Sequence, residues 1–246
     1  MSEFVFCDPD NDSNDVSIFN KALAIAINAP MVKIEREEFL KNNFSREVEP
    51  ELVNKIVQTS PIKAGVSERI LEKIARECIK NETYQVSALS LGTGFYGLVG
   101  IPADLAQYLV HVLRISQKLA YIYGYPSMIS IDGGMDNATK NIILLFIGMM
   151  YGVKGTEKVI AKLSVTLAEQ IAKNISREAL TKTVWYPLLK QVCKQVGIQV
   201  TKDTLGKAAA KSIPVLASVV SATLSYICFE KNAERLHETL RENPVR

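Results

Sequence analysis

The chain has 246 residues, of which 48% are hydrophobic, 22% charged and 7% aromatic, and its formal net charge is only +3. This length allows one large domain or two small ones, and the composition is that of a globular protein. A net charge so close to zero does not indicate nucleic-acid binding, so we predict no nucleic-acid partner. The low aromatic content and the many Ala, Leu, Ile, Lys and Glu residues favour helix over sheet.

Charge is distributed unevenly along the chain. Residues 1–51 carry five Lys and Arg against eleven Asp and Glu, whereas residues 154–211 carry eleven against four. Residues 1–14 are polar and acidic and lack a secretory signal pattern, so we predict a disordered N-terminus followed by a single helical domain over residues 15–246. The four cysteines are widely spaced without a CxxC pair, which predicts reduced thiols and a cytoplasmic protein.

The first predicted helices lie between residues 15 and 81. Asp15 can cap an apolar helix, VSIFNKALAIAI, that stops near Pro30, and a charged connection follows. The segment EPELVNKIVQ predicts a helix with Pro50 near its start. The segment SERILEKIARECIKN predicts an amphipathic helix that is capped by Ser67.

Longer helices are predicted in the rest of the chain. One runs from Pro102 to about Tyr123 and is followed by Gly124 and Pro126, which are typical helix-stop residues. The later helical patterns are NATKNIILLFIGMMYGV, GTEKVIAKLSVTLAEQIAKN, SREALTKTVWYPLLKQVCKQVG and IPVLASVVSATLSYICFEKNAERLHETLRE. Because no alternating strand pattern appears, we predict an all-α fold: a single compact multi-helix domain with central apolar helices rich in Gly, Ala and Ser.

Three segments, residues 86–101, 141–153 and 213–229, are apolar enough to raise the question of a membrane span. A spanning helix needs about 20 mostly apolar residues, and the longest of the three segments has seventeen. Buried helices of a bundle account for them better, and inducible insertion stays open as the alternative.

The segment GTGFYG, residues 92–97, matches the GxGxxG pattern of dinucleotide-binding loops. That pattern requires a preceding strand and an acidic residue about 20 positions later, and the sequence has neither. We therefore predict no cofactor. Gly97 and Gly100 lie three residues apart, and within a helix they would form a groove that another helix or a bound chain can approach closely.

One face of the following helix carries a row of polar side chains. At 100° per residue, Asp104, Gln107, His111, Arg114 and Lys118 fall within about an 80° arc. The row is either a solvated stripe or a polar cluster that faces a pocket. In the second case, Asp104 would orient His111 or pair with Arg114.

The pocket hypothesis has an enzymatic version, in which Asp104, His111 and Arg114 serve a hydrolase. Tyr123 is a further pocket candidate, since the tyrosines at the end of this helix could form core or line a cleft. No catalytic residue is assigned, because the sequence has no GxSxG elbow and no HExxH motif. A histidine without Cys or acid at ligand spacing is a poor metal ligand, so we predict no metal site.

Two segments resemble a known family. GIPADLAQYLVHVLRISQKLAYIYGYP, residues 100–126, is similar to the Gly-Pro-x-Asp…Arg…Tyr-Gly signature of the EcsC family of bacterial proteins. LGKAAAKSIPVLASVVSATLSYICFEKNAERL, residues 205–236, is similar to that family's second block, although Ala217 and Ser218 stand where relatives tend to carry glycines. The resemblance implies no agreed catalytic activity. It marks a shared site or packing constraint at the matching positions, which are Gly97, Gly100, Pro102, Asp104, Arg114, Tyr123, Gly124, Lys207, Lys211 and Pro214.

Together these features favour a non-enzymatic protein that associates with a membrane surface, with lipid, or with the cytoplasmic side of a membrane protein. The basis is three nearly spanning apolar segments, a pliable glycine segment and a basic second half. Lys207 and Lys211, one turn apart before the last helix, are the membrane-facing candidates, because each lysine near anionic headgroups contributes about 1 kcal/mol. The expected location is cytoplasmic, at the inner face of the membrane.

Overall fold

The computed structural model describes residues 14–89, 103–128, 137–173, 188–199 and 216–246. They form ten α-helices with no strand among them, which confirms the predicted all-α fold. The helices are α1 (Asn14–Asn28), α2 (Arg36–Phe44), α3 (Pro50–Gln58), α4 (Pro61–Ala64), α5 (Glu68–Leu89), α6 (Ala103–Ile122), α7 (Asn137–Met150), α8 (Thr156–Lys173), α9 (188–199) and α10 (Leu216–Glu242).

Helix α6 lies at the centre of the bundle, where it packs against α1, α5, α7 and α10. Its apolar side chains, such as Leu109, Leu113 and Leu119, are completely buried. Because α6 meets neighbours on several sides, its polar side chains are also drawn into the interior. They must find partners there, since an unpaired buried polar group is costly.

Helices α5 and α10 pack against each other in antiparallel directions. Arg76 Nη1 on α5 donates to Glu234 Oε1 on α10 at 3.3 Å. Glu72, one turn earlier on α5, lies within electrostatic range of Arg241, about two turns later on α10. The start of α10 therefore lies beside the end of α5.

Helix α7 is buried along most of its length, as the sequence predicts for the apolar segment 141–153. Its consecutive residues from Ile142 to Ile147 are all buried, because α6, α8 and α10 all pack against it. None of the helices in the described ranges is long and apolar enough to cross a bilayer. In the other two apolar segments, 86–101 and 213–229, most residues lie outside the part of the chain whose side chains the structure describes.

The end of α6 is a Schellman turn, as the Gly124–Pro126 pattern predicts. Gly124 has φ 88°, and the Tyr125 N–H donates to the Ala120 carbonyl oxygen at 2.9 Å. The C-terminal segment covers this turn, because the Val245 N–H donates to the Tyr123 carbonyl oxygen at 3.0 Å and the Val245 side chain is fully buried. The chain after α10 is therefore part of the core.

Two sequence predictions of local structure were wrong. The charged connection after Pro30 contains helix α2, whose Phe39, Leu40 and Phe44 are buried. Three apolar residues among charged ones gave no clear helical period. Helix α5 runs on to Leu89, about two turns beyond the predicted end. The residues before the glycine segment are therefore helical, which agrees with the rejection of a dinucleotide-binding loop.

The thiol prediction was correct for two cysteines and wrong for one. Cys78 and Cys228 are free thiols, whereas Cys193 on α9 is in a disulfide. Cys78 is buried, and its burial raises the thiol pKa to about 12. Cys228 is exposed and is the accessible thiol of the described residues.

Candidate functional site

A fully buried glutamate on α5 collects three nitrogen-bearing side chains of α6. Glu82 is 0% exposed, and its Oε2 lies 2.7 Å from His111 Nδ1. Its Oε1 accepts from Arg114 Nε at 3.0 Å and from Lys118 Nζ at 2.6 Å. We call these four residues the Glu82 cluster.

The helical period explains why three side chains of α6 reach one carboxylate. His111, Arg114 and Lys118 are three and four residues apart, so they lie on the same face of α6. This face packs against α5. On α5, Glu82 continues the buried stripe formed by Leu71, Ala75 and Cys78. A carboxylate in an otherwise apolar stripe is the sequence signal that would have identified Glu82, because such a group requires partners.

The Glu82 carboxyl is ionised in this environment. Burial acts to raise its pKa, but the His111 hydrogen bond and the charges of Lys118 and Arg114 outweigh burial and lower the pKa to about 2. This one carboxylate faces two fixed cations, Arg114 and Lys118. These three groups therefore carry a surplus of one positive charge.

The Glu82 carboxylate also determines which nitrogen of the His111 ring is a hydrogen-bond donor. An ionised carboxylate only accepts hydrogen bonds, so Nδ1 of His111 carries a proton and donates to Glu82, and in the neutral ring Nε2 is the acceptor nitrogen. Nε2 is buried and has no hydrogen-bond partner among the described residues. The ring that shares the Glu82 carboxylate with two cations therefore has one nitrogen without a partner.

His237, the second histidine of the chain, has the same carboxylate pairing and a different outcome. Its Nδ1 lies 3.1 Å from Glu234 Oε2, and its Nε2 lies 2.8 Å from the hydroxyl oxygen of Tyr123. His237 is fully buried and both of its ring nitrogens have protein partners. This histidine joins α10 to the end of α6 and has no free nitrogen for a ligand.

The structure brings some of the predicted pocket residues together and separates others. His111 and Arg114 meet at Glu82, and Gln107, one turn before His111, is buried. The row is therefore not the open solvated stripe that was the alternative. Glu82 makes the two contacts that the sequence analysis assigned to Asp104, and the Asp104 side chain lies outside the described residues.

The remaining candidates fall elsewhere. Tyr123 is buried and pairs with His237, so it belongs to the core and not to the Glu82 cluster. Burial raises the pKa of its phenol above the ordinary range. Gly97, Gly100, Lys207 and Lys211 lie outside the described residues.

One end of the bundle is marked by three helix termini. Helix α5 ends at Leu89 and α6 begins at Ala103, the two residues that flank the glycine segment in the sequence. The antiparallel helix α10 begins at Leu216 at the same end. We call this the glycine end of the bundle.

Two large apolar side chains are exposed on α5 and α10, the two helices that meet at this end. Tyr84 on α5 is 54% exposed and Ile227 on α10 is 53% exposed. Counting from the Arg76–Glu234 contact, Tyr84 is eight residues further along α5 and Ile227 is seven residues back along α10. At a rise of about 1.5 Å per residue, the two side chains come to nearly the same height.

Lysines accompany both of these side chains. Lys80 Nζ lies 5.9 Å from the centroid of the Tyr84 ring, and Lys231 is an exposed residue one turn after Ile227. We call Lys80, Tyr84, Ile227 and Lys231 the glycine-end patch. Each of the two neighbouring helices thus presents one exposed apolar side chain next to a lysine.

The Glu82 cluster is poorly suited to a metal ion. Its carboxylate is already occupied by two cationic side chains, which would repel a metal ion. Within the described ranges, no group of three or more His, Cys, Asp or Glu side chains is arranged to hold a metal ion. Comparisons with protein-family models, with curated proteins and with solved structures give no significant match for this chain.

Proposed function

We propose that the protein is an EcsC-like, non-enzymatic helical protein that associates with the surface of a membrane containing anionic lipid. The glycine end of the bundle faces the lipid in this proposal. The observation that carries it is the glycine-end patch, where Tyr84 and Ile227 are more than half exposed and lysines lie beside them. The expected location is cytoplasmic, at the inner face of the membrane, although a disulfide such as that of Cys193 is uncommon there. A membrane protein at that face is the alternative partner.

The composition of the glycine-end patch suits the interface of a bilayer. A tyrosine places its ring among the lipid headgroups with its hydroxyl toward water. Two lysines near anionic headgroups contribute about 2 kcal/mol, and burial of the exposed part of Ile227 adds about 1 kcal/mol. These magnitudes correspond to weak, reversible attachment to the surface.

The chain order supports extending this surface to the two lysines that the sequence analysis selected. Lys207 and Lys211 precede the first residue of α10 by fewer than ten positions. If they join the glycine-end patch, they add about 2 kcal/mol of attraction to anionic lipid. The EcsC resemblance includes both lysines, which is a second reason to test them.

Flotation of the purified protein with liposomes tests the proposal. We expect the protein to float with vesicles that contain anionic lipid and to stay behind with neutral vesicles. High salt weakens the binding, because surface charges are screened. The double variants Lys80→Glu with Lys231→Glu and Lys207→Glu with Lys211→Glu are each expected to lower partitioning about a hundredfold or more, since each reversal removes an attraction and adds a repulsion.

A matched control is available at the opposite end of α6, where Ser60 and Ile62 lie against Gly124. Lys55 on α3 and Lys63 on α4 are exposed, so Lys55→Glu with Lys63→Glu makes the same charge change away from the glycine end. The control is expected to float like the wild type. Absence of flotation under every condition, or an equal loss in the control and in the patch variants, contradicts the proposal.

The Glu82–His111 pair supports a second candidate function, hydrolysis. A carboxylate on Nδ1 orients a histidine so that Nε2 can take a proton from an attacking water or hydroxyl group. Glu82 has the orienting role that the sequence analysis gave to Asp104. A panel of chromogenic carboxylic and phosphate esters tests this candidate: His111→Gln should abolish hydrolysis and His237→Gln should leave it intact. No turnover by the wild type would reject it.

A further inference from the structure

We infer that the Glu82 cluster binds a phosphomonoester, with one phosphate oxygen hydrogen-bonded to His111 Nε2 and the negative charge facing Arg114 and Lys118. If the phosphate belongs to a lipid, this inference rests on the proposed function. The inference then names the lipid headgroup that this protein would select at the membrane surface. For a soluble phosphate it stands independently.

The first step of the argument is the comparison of the two histidines. His111 and His237 are both buried, and a glutamate lies against Nδ1 of each ring. At His237 the Nε2 position is taken by a phenol hydroxyl, 2.8 Å away. At His111 the equivalent position is empty among the described residues. The structure thus shows at His237 that a hydroxyl group fits this position on the imidazole, and at His111 that none of the described residues supplies a hydrogen-bonding group there.

The second step is charge. Glu82 is fully buried and is the carboxylate that the structure places against Arg114 and Lys118. One carboxylate leaves one positive charge uncompensated. Buried or half-buried charge is costly without a partner, so a ligand at His111 Nε2 is stabilised when it carries negative charge.

The third step is the chemical class that satisfies both conditions. When the His111 ring is neutral, a carboxylate or a sulfate ester near neutral pH is anionic but brings no proton of its own to share with Nε2. A sugar hydroxyl has a proton and no charge. A phosphomonoester has both, because it loses its second proton near pH 6. One proton can therefore lie between the phosphate oxygen and His111 Nε2 while the other oxygens face the cations.

The fourth step is access. The side chains of Arg114 and Lys118 are 21% and 13% exposed, and the ring of His111 is 5% exposed. The cationic edge of the Glu82 cluster therefore reaches solvent, while Glu82 itself does not. A phosphate therefore meets Arg114 and Lys118 first, and the side chains around the buried Nε2 of His111 must move apart for the inferred contact to form.

The test uses the fact that the chain has only two histidines. The imidazole signals of ¹⁵N-labelled protein are assigned with His111→Gln and His237→Gln and then followed while inorganic phosphate is added at constant ionic strength. We expect a saturable shift of the His111 signals, no shift at His237, and little response to sulfate. Lys118→Met is expected to weaken the phosphate affinity about tenfold, through loss of one charge-assisted contact.

Several outcomes would overturn the inference. These are no shift at His111 with millimolar phosphate, equal shifts at both histidines, and an equal effect of sulfate and phosphate. The wild-type titration decides the matter even if Lys118→Met does not fold.

A second arm separates the lipid from the soluble source. Flotation is compared between vesicles with phosphatidic acid, which is a phosphomonoester, and vesicles with phosphatidylglycerol, which is a diester. Preference for phosphatidic acid that His111→Gln removes identifies the lipid headgroup. Equal flotation on both, with a positive phosphate titration, identifies a soluble phosphomonoester. If no anionic vesicle binds the protein, the proposed function fails, and the phosphate titration still decides this inference.

Discussion

Replacement of Glu82 by glutamine measures what the buried carboxylate contributes to stability. The substitution keeps the size of the side chain and removes its charge, so Arg114 and Lys118 lose their counterion in a largely buried place. The folded-state pKa of Glu82 is about 2 against an ordinary value of 4.5. That difference corresponds to about 3 kcal/mol of stability at neutral pH, which agrees with the usual cost of breaking a buried ion pair, about 3–5 kcal/mol.

The sign of the pH dependence follows from the lowered pKa. A carboxyl group whose pKa is lowered by folding stabilises the protein above its unfolded-state pKa, and this stability is lost as the pH falls toward the folded-state pKa. The wild type should therefore lose about 2 kcal/mol of this contribution between pH 7 and pH 3, and Glu82→Gln should not lose it. Urea unfolding followed by circular dichroism at both pH values measures the free energies of unfolding.

Two results would refute the reasoning. One is equal stability of the wild type and Glu82→Gln at pH 7. The other is a difference between their free energies of unfolding that is as large at pH 3 as at pH 7. Glu72→Gln is the matched control, because Glu72 pairs with Arg76 at the surface of the same helix. Its effect is expected to be much smaller, since exposed ion pairs contribute little.

Two further predictions concern the backbone and the thiols. Gly124→Ala should lower the free energy of unfolding by about 2 kcal/mol or more, because a Cβ there would lie 2.5 Å from a carbonyl oxygen of the C-terminal segment. Gly65→Ala, with φ 82° and open space around it, should cost only about 1 kcal/mol; equal costs in a thermal melt would contradict this. Alkylation of the unfolded, unreduced protein should modify Cys78 and Cys228 but not Cys193, which reacts only after reduction, as mass spectrometry can show. In the native protein Cys228 should react first, and rapid labelling of Cys78 would contradict its burial.

The sequence was sufficient for the parts of the fold that depend on local period. The helical spacing of α6 placed His111, Arg114 and Lys118 on one face, and Gly124 ended that helix where predicted. Glu82 was not found, because the predicted helix ended at Asn81, one residue before it, and because its partners on α6 depend on the packing of α5. The helical period identifies which residues share a face, and the tertiary fold decides which partner faces them.

The misjudged segments have similar physical causes. Helix α2 was missed because its buried residues Phe39, Leu40 and Phe44 lie in a highly charged segment without a regular apolar stripe. Its burial comes from contacts with α3 and α6. The disulfide of Cys193 was missed because isolated cysteine spacings do not reveal which thiols the fold brings together. Both features depend on contacts between distant parts of the chain.

The packing of Val245 against the end of α6 makes the C-terminal segment a reporter on opening of the whole molecule. Arg246 is exposed, whereas Val245 is buried and its N–H is bonded to the Tyr123 carbonyl oxygen. A carboxypeptidase can remove Arg246 from the folded protein, but it reaches Val245 only when this contact with the core is released. When release and closing are fast, the rate of the second cleavage follows the population of opened molecules. Removal of Arg246 thus measures how accessible the C-terminus is in the folded protein. Removal of Val245 measures how often the C-terminal segment leaves the core.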